Sequence, residues 1–552
     1  MAILCGWSNA VAALTVCYAI AAVGADGTAS PAVRTAVADG NIGPYAAADF
    51  RLVQGACNDC SVPHQALWYF EDDFVAVPKA QVGAAGYARG VPAQQDVRSW
   101  FAQATPEDLQ ARSPLVWIGS PDVTGDAALV ADDALRLRDG SSMRLQLTPK
   151  IATNRSYYDA SSAAFFRERP LRLRGRLATG ADGKPAFVAR TIWPQDYSID
   201  ASKVKLAPLA PGESLASLVR QTDAAAARYE TRLLWERSPG RPRDWGALAA
   251  FGVMLNAAQG DDDEAHGGHF AIVTGRNNAR GDWSEWLVNN FYNLDSFSEK
   301  GIIAAMVPMD NYLMDLNSGQ SYYRPSYMLV ALLRGDRVSY GYQGAVSRVY
   351  QHFYRHDFRY RHTSVNCAGI SLDTLRSLGW NIPQRGPTSY AKALAAYPYM
   401  AIKEMSVDSG RKSFEYLSEE QTRLYPAVAF EAAATDLLQL AGARAAAGSY
   451  EQWLKEDVEA LLFVRIPQIP SSRAPGTFPV ASVDEYMQRA PQDRAQWKIV
   501  PVEPRPFPQE FRDEYTEPAE PASHEFALMA GLALVGGALT VRAVRRRRAG
   551  RR

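Results

Sequence analysis

A cysteine at the start of a helix and a histidine on a strand are the residues of this chain best placed to do chemistry. Asn366-Cys367 stands directly before Ile370, Leu372, Leu375 and Leu378, an apolar spacing that predicts a helix over 368–378 with Cys367 at its opening. The free amides and dipole of a helix N-terminus lower a thiol pKa, which is what a cysteine nucleophile needs. His269 opens the strand pattern His-Phe-Ala-Ile-Val-Thr, whose alternation puts His269, Ala271 and Val273 on one face. A strand packed across the helix N-terminus would bring the imidazole to the sulfur. The next strand carries Asn289 and Asn290 side by side. One of the two must share the face of His269 and could orient its ring. The plainer alternative is a core cysteine and a histidine that caps a strand.

Other residues invite weaker assignments. The segment from Tyr312 to Tyr327 is rich in aromatic rings that stack on sugars or line an acyl groove, and Tyr322, Tyr323 and Tyr327 are taken as substrate-binding candidates. Arg324, among them, is suited to a carboxylate. Cys57 and Cys60 are spaced for a small disulfide in an oxidising compartment, which leaves Cys367 unpaired. His352 and His356 are four apart but lack the glutamate of a zinc hydrolase motif, and His266 and His269 are three apart beside an acidic loop. No metal and no cofactor is expected.

The elements that must position these groups follow from patterning along 552 residues. Residues 1–25 read as a signal peptide, an apolar run ending in small side chains. Residues 26–110 form an N-terminal segment with the CxxC pair, and 111–210 a small β-rich domain of short alternating runs. Residues 211–465 form the domain that holds the candidate site. Within it, 215–235 and 245–257 are expected to be helical, and His269–Thr274 and Trp286–Tyr292 to pair as strands. A proline-rich arm follows over 466–522, then an apolar transmembrane or sorting helix over 523–544 and a basic tail over 545–552. Formal charge is zero, but seven arginines lie beyond Val541, so the stretch from Asp26 to Val541 holds 59 acidic against 52 basic residues. A mildly acidic body argues against nucleic acid as a partner.

The phrases Gly268-His269-Phe270-Ala271-Ile272-Val273-Thr274-Gly275 and Val365-Asn366-Cys367-Ala368-Gly369-Ile370-Ser371-Leu372 resemble the circularly permuted branch of the papain-like and NlpC/P60 cysteine peptidase superfamily, over residues 245–400. There the histidine strand precedes the cysteine helix. The resemblance implies Cys367 as nucleophile, His269 as general base and Asn289 or Asn290 as the third polar residue. It also implies amide hydrolysis, often of peptidoglycan peptides, or acyl transfer between lipids and amines. The fold class expected is α+β: a permuted papain-like domain behind a small β-rich domain, with a signal peptide and a C-terminal membrane helix. The function expected is an exported, membrane-tethered thiol hydrolase of an envelope peptide, on the periplasmic side of the inner membrane or at the surface after tail processing. The alternatives are a cysteine-dependent acyltransferase of the envelope and a non-catalytic envelope binding or assembly protein. The partners implied are a cell-wall peptide or acyl donor, the membrane through the C-terminal segment, and an envelope protein.

Overall fold

In the computed structural model of the protein, residues 32–511 are described, apart from 56, 71–72, 80–85, 152–156, 168, 181, 222–227, 259–265, 295–303, 317–323, 474–475, 499–506 and 509–510. After β1 (Val33–Thr35), the N-terminal segment contributes β2 (Phe50–Gln54), β3 (Phe74–Pro78), α1 (Ala93–Phe101) and β4 (Val116–Gly119). Strands β2, β3 and β4 make a three-stranded antiparallel sheet. Cys57 and Cys60 are joined in a disulfide just after β2.

Short alternating strands then close on themselves. They are β5 (Asp122–Ala131), β6 (Ala134–Arg136), β7 (Ser142–Leu147), β8 (Leu171–Thr179) and β9 (Pro185–Pro194), with helix α2 (Ala160–Phe166) between β7 and β8. The order β5-β8-β9-β7-β6 is sealed by pairing of β6 with β5, and β9 runs parallel to β7. This is the connectivity of an OB-type Greek-key barrel, which leaves few free strand edges. In Leu171-Arg172-Leu173-Arg174 the leucines join the barrel core and the arginines point to the rest of the molecule.

The second sheet is wholly antiparallel. Its strands are β10 (Glu230–Glu236), β11 (Ala249–Asn256), β12 (His269–Arg276), β13 (Leu287–Asn290), β14 (Ala305–Pro308), β15 (Ser326–Leu333) and β16 (Val458–Ile466), in the order β10-β16-β15-β11-β12-β13-β14. Helices α3 (Met309–Met314), α4 (Arg337–Tyr354), α5 (Cys367–Ser377), α6 (Tyr390–Lys403), α7 (Val407–Ser418), α8 (Pro426–Gly442) and α9 (Ser449–Asp457) fill its connections. All eight residues of β11 and of β15 are buried. Covered on both faces, these strands show apolar runs rather than alternation.

Several expectations are corrected. The fold is α+β, but the β-rich region is a closed five-stranded barrel and the larger body is one seven-stranded antiparallel sheet. The run 245–257 is no helix: it holds β11, whose continuous apolar character hides the strand period. Of 215–235, only Leu215–Arg220 is described as helix, and β10 follows from Glu230. The proline-rich stretch packs in part against the body, with Val480 and Phe507 buried. Anchoring at the inner membrane through a C-terminal span, and the membrane as a partner through that span, are not carried by the fold. Among the described residues no helix is long and apolar enough to cross a membrane. Residues 1–25 and 523–544, where signal and span were expected, lie outside the described residues.

A buried ionic cluster ties the N-terminal segment to this body. His352 on α4 places Nδ1 2.7 Å from Asp357 and Nε2 2.9 Å from Asp96 of α1, and Arg348 also bonds Asp96 at 2.7 Å. His356, its expected neighbour on the helix, lies beyond the end of α4 and bonds the Tyr69 hydroxyl at 3.2 Å. Burial opposes the charge on His352, but the bonds and charges of Asp357 and Asp96 outweigh it and raise the imidazole pKa. Burial likewise opposes ionisation of Asp96, yet bonds from His352, Arg348 and the Ala88 amide bring it down to about 2. The His352 contribution is therefore full below its ordinary value of 6.5 and is lost as pH rises through the raised value. The stability difference between the protein and His352→Gln, followed by thermal melting, should be largest in mild acid and shrink on the alkaline side.

Candidate functional site

The site gathers at the first residues of β12, where three central strands end with polar side chains. Asn256 at the end of β11 is paired with His269 on one side and Ser326 of β15 on the other. Its Nδ2 donates to Ser326 Oγ at 2.6 Å, and its Oδ1 accepts from the Tyr312 hydroxyl of α3. Gly268 precedes His269 with φ +72°, and a Cβ there would lie 2.6 Å from the Asn256 carbonyl oxygen. Only glycine turns the chain into β12 at this point.

Helix α5 brings the sulfur. Asn366 caps it: Oδ1 accepts from Gly369 N–H at 2.9 Å, while Nδ2 donates to the carbonyls of His362 at 3.0 Å and Leu424 at 3.1 Å. Cys367 is thereby fixed as the first helical residue. Its own N–H donates to the Tyr360 hydroxyl at 3.3 Å. The Phe270 and Ala368 amides and the Tyr360 hydroxyl lie near its thiol and act to lower its pKa.

Around this thiol the described environment is aromatic. The His269 ring lies 6.0 Å from Tyr292 and 6.4 Å from Tyr312, and Tyr292 stacks on Tyr360 at 6.1 Å. Arg324, buried, is the nearby positive charge felt by His269, Tyr312 and Cys367. Burial followed by that charge pushes the His269 imidazole down to about 3, against a weaker opposing bond with Asn290. Burial pushes the Cys367 thiol up, despite its three donors. Tyr312 and Tyr360 are raised by burial too and stay protonated donors.

These facts correct the expected chemistry. His269 Nε2 has no hydrogen-bond partner, and no hydrogen bond joins the ring to the Cys367 sulfur among the described residues. The two groups are shifted away from an ion pair rather than toward one, because desolvation exceeds what a helix end can return. A membrane-tethered thiol hydrolase working on an envelope peptide through an activated Cys-His pair is not supported. Among the described residues there is also no group of three or more His, Cys, Asp or Glu able to hold a metal.

The other candidates separate cleanly. Asn290 shares the face of His269, whereas Asn289 turns to the opposite face, bonding the Ile272 carbonyl and accepting from Gln343 of α4 at 3.1 Å. Tyr327 also points to that opposite face, its ring 6.3 Å from Phe463. Tyr322 and Tyr323 lie outside the described residues. Tyr312, the first ring of the aromatic segment, belongs to the site, as do Tyr360, Tyr292, Asn256 and Ser326, which were missed. The available signal was Asn256, a polar residue closing an otherwise apolar run.

Comparison with known proteins leaves this geometry to speak for itself: no protein-family model, no curated protein and no solved structure matches the chain.

Two measurements follow from the burial. The His269 imidazole should show no NMR titration between neutral pH and about pH 4. Iodoacetamide should label Cys367 more slowly at neutral pH in the folded protein than in the unfolded chain, and His269→Gln should leave that rate unchanged.

Proposed function

We propose that the protein is an acyl-transfer enzyme in which the Cys367 thiol carries the acyl group between donor and acceptor. The observation that carries this reading is the burial of Cys367, 4 % exposed, beneath aromatic rings and with three donors converging on its sulfur. An open wet cleft would favour hydrolysis, because water at high concentration competes with any other acceptor. An enclosed site excludes it and lets a second substrate take the acyl group. The chain order, histidine strand before cysteine helix, is the feature behind the resemblance to the permuted papain-like superfamily, and it agrees with acyl chemistry at this sulfur.

The reaction balances without a cofactor. The sulfur adds to the carbonyl of an oxygen ester, the carbon–oxygen bond breaks, and the thiol proton leaves with the alcohol, giving Cys367 as a thioester. An amine then attacks the thioester, forming an amide and returning the thiol. The Tyr360 hydroxyl and the amides of Phe270 and Ala368 are neutral donors placed to steady negative charge at the sulfur as these bonds change. His269 is kept neutral, and its unbonded Nε2 is available to an incoming polar group.

Incubation with activated aryl esters of short and long fatty acids, followed by intact-mass analysis, tests the reading. The expected result is one acyl adduct, released by hydroxylamine, absent in Cys367→Ala. Tyr360→Phe should slow its formation by roughly 10²-fold, the scale of losing one preorganised donor. No adduct with any donor, or an equal adduct in Cys367→Ala, would overturn it.

A further inference from the structure

We propose that the hairpin of helices α6 and α7 docks, from one side and without crossing, on the surface of an anionic lipid bilayer. This goes beyond acyl transfer and does not depend on it. It concerns a different segment from the terminal span considered above.

The hairpin stands off from the body. Ala393 is the only fully buried residue of α6 and Gly410 the only one of α7. The two helices pack closely on each other, since a Cβ on Gly410 would lie 2.6 Å from the Tyr397 carbonyl oxygen. Their outer surface is nonetheless apolar. Of the eleven large hydrophobic side chains that stand exposed among the described residues, seven lie on this hairpin, which concentrates them in one place. Tyr390, Leu394, Pro398 and Ile402 recur every fourth residue and form one stripe along α6. At the tip, Ile402 is 77 % and Met405 93 % exposed, and Val407 begins the return helix. Met405 adopts φ +50°, a conformation that a non-glycine residue rarely takes, and it does so with its side chain in solvent.

Charge selects the occupant. Helix α6 contains Lys392 and Lys403 and no acidic residue. Neither lysine pairs with a carboxylate among the described residues, and Lys403 lies 5.8 Å over the Tyr399 ring. The cations of α7 are already used: Arg411 and Lys412 each lie 2.8 Å from Asp408. An apolar stripe with unneutralised lysines beside it suits a bilayer interface, where apolar groups enter the headgroup boundary and lysines meet anionic lipid.

The hairpin is rooted at the candidate site. Thr363 Oγ1 donates to Glu415 of α7 at 2.7 Å, and the cap Asn366 reaches Leu424 just past α7. A surface held by the hairpin therefore lies on the side of the molecule where α5 begins.

Co-sedimentation of the full chain with phosphatidylcholine vesicles containing about one third phosphatidylglycerol tests the proposal. The expected result is binding that weakens in high salt and falls by roughly 10-fold or more in Ile402→Asp/Met405→Asp. Lys392→Gln and Lys403→Gln should each cost about five-fold, the size of one lysine at an anionic surface. Both positions are exposed, so melting temperature should not change and serves as the folding control. Binding equal in all variants would overturn the proposal, because another segment would then hold the chain to the vesicles. A concentration-dependent dimer that Ile402→Asp abolishes, with no vesicle binding, would overturn it in favour of self-association.

Discussion

The ion pair between Arg174 of the barrel and Asp310 at the head of α3 is the interaction on which the site's construction depends. Both side chains are fully buried, and the guanidinium makes bonds of 3.1–3.2 Å to both carboxylate oxygens while also reaching Glu285 at 3.0 Å. At the other end of the same short helix, Arg190 bonds Asp315 at 3.1 Å. Helix α3 is thus held at both ends by arginines of the barrel, and between those ends it carries Tyr312 to Asn256. The barrel is therefore more than a spacer. Removing one partner of such a pair leaves a desolvated charge and typically costs about 3–5 kcal/mol. The cost would be felt at the polar strand ends that hold His269, far from the barrel in sequence.

Local signals in the chain were legible, and long-range ones were not. The helix opening at Cys367 follows from Asn366 and the apolar spacing behind it, both within a dozen residues. That Asn289 or Asn290, but not both, shares the face of His269 follows from the two-residue period of a strand. Which of them does so depends on register, and register is fixed by pairing Ile272 with Asn289, a contact that no local pattern encodes. The same limit explains β11. Its run Ala-Ala-Phe-Gly-Val-Met-Leu is apolar at every position because β12 and β15 flank it and both faces are covered, so neither helical nor strand periodicity is visible. Tyr360 escaped notice because it comes to the sulfur through an irregular connection, and such segments carry chemistry without a period to mark it.

The expectation for the thiol failed on magnitude. A helix N-terminus stabilises a nearby negative charge by about 0.3–1 kcal/mol when exposed. Burial of an ionisable group costs several times that. Asn366 places Cys367 where the first effect operates, but the strands and rings around it impose the second. The same competition holds at His269, where two effects, burial and the Arg324 charge, act in one direction and only the Asn290 bond opposes them.

What results is a site of neutral donors beside the Arg324 guanidinium. The thiol is kept protonated, the imidazole unprotonated, and the hydroxyls of Tyr312 and Tyr360 far above their ordinary pKa. None of these changes its charge near neutral pH, so the Arg324 charge and the fixed dipoles act there on a set of neutral groups. Such a field is indifferent to a neutral ground state and favours any species that gains negative charge on the way to product. An acyl carbonyl under attack by sulfur is such a species. The Arg324 charge acts on the thiol, the imidazole and Tyr312 alike, so what it favours is the sign of the charge that develops at the sulfur rather than a charge the substrate brings.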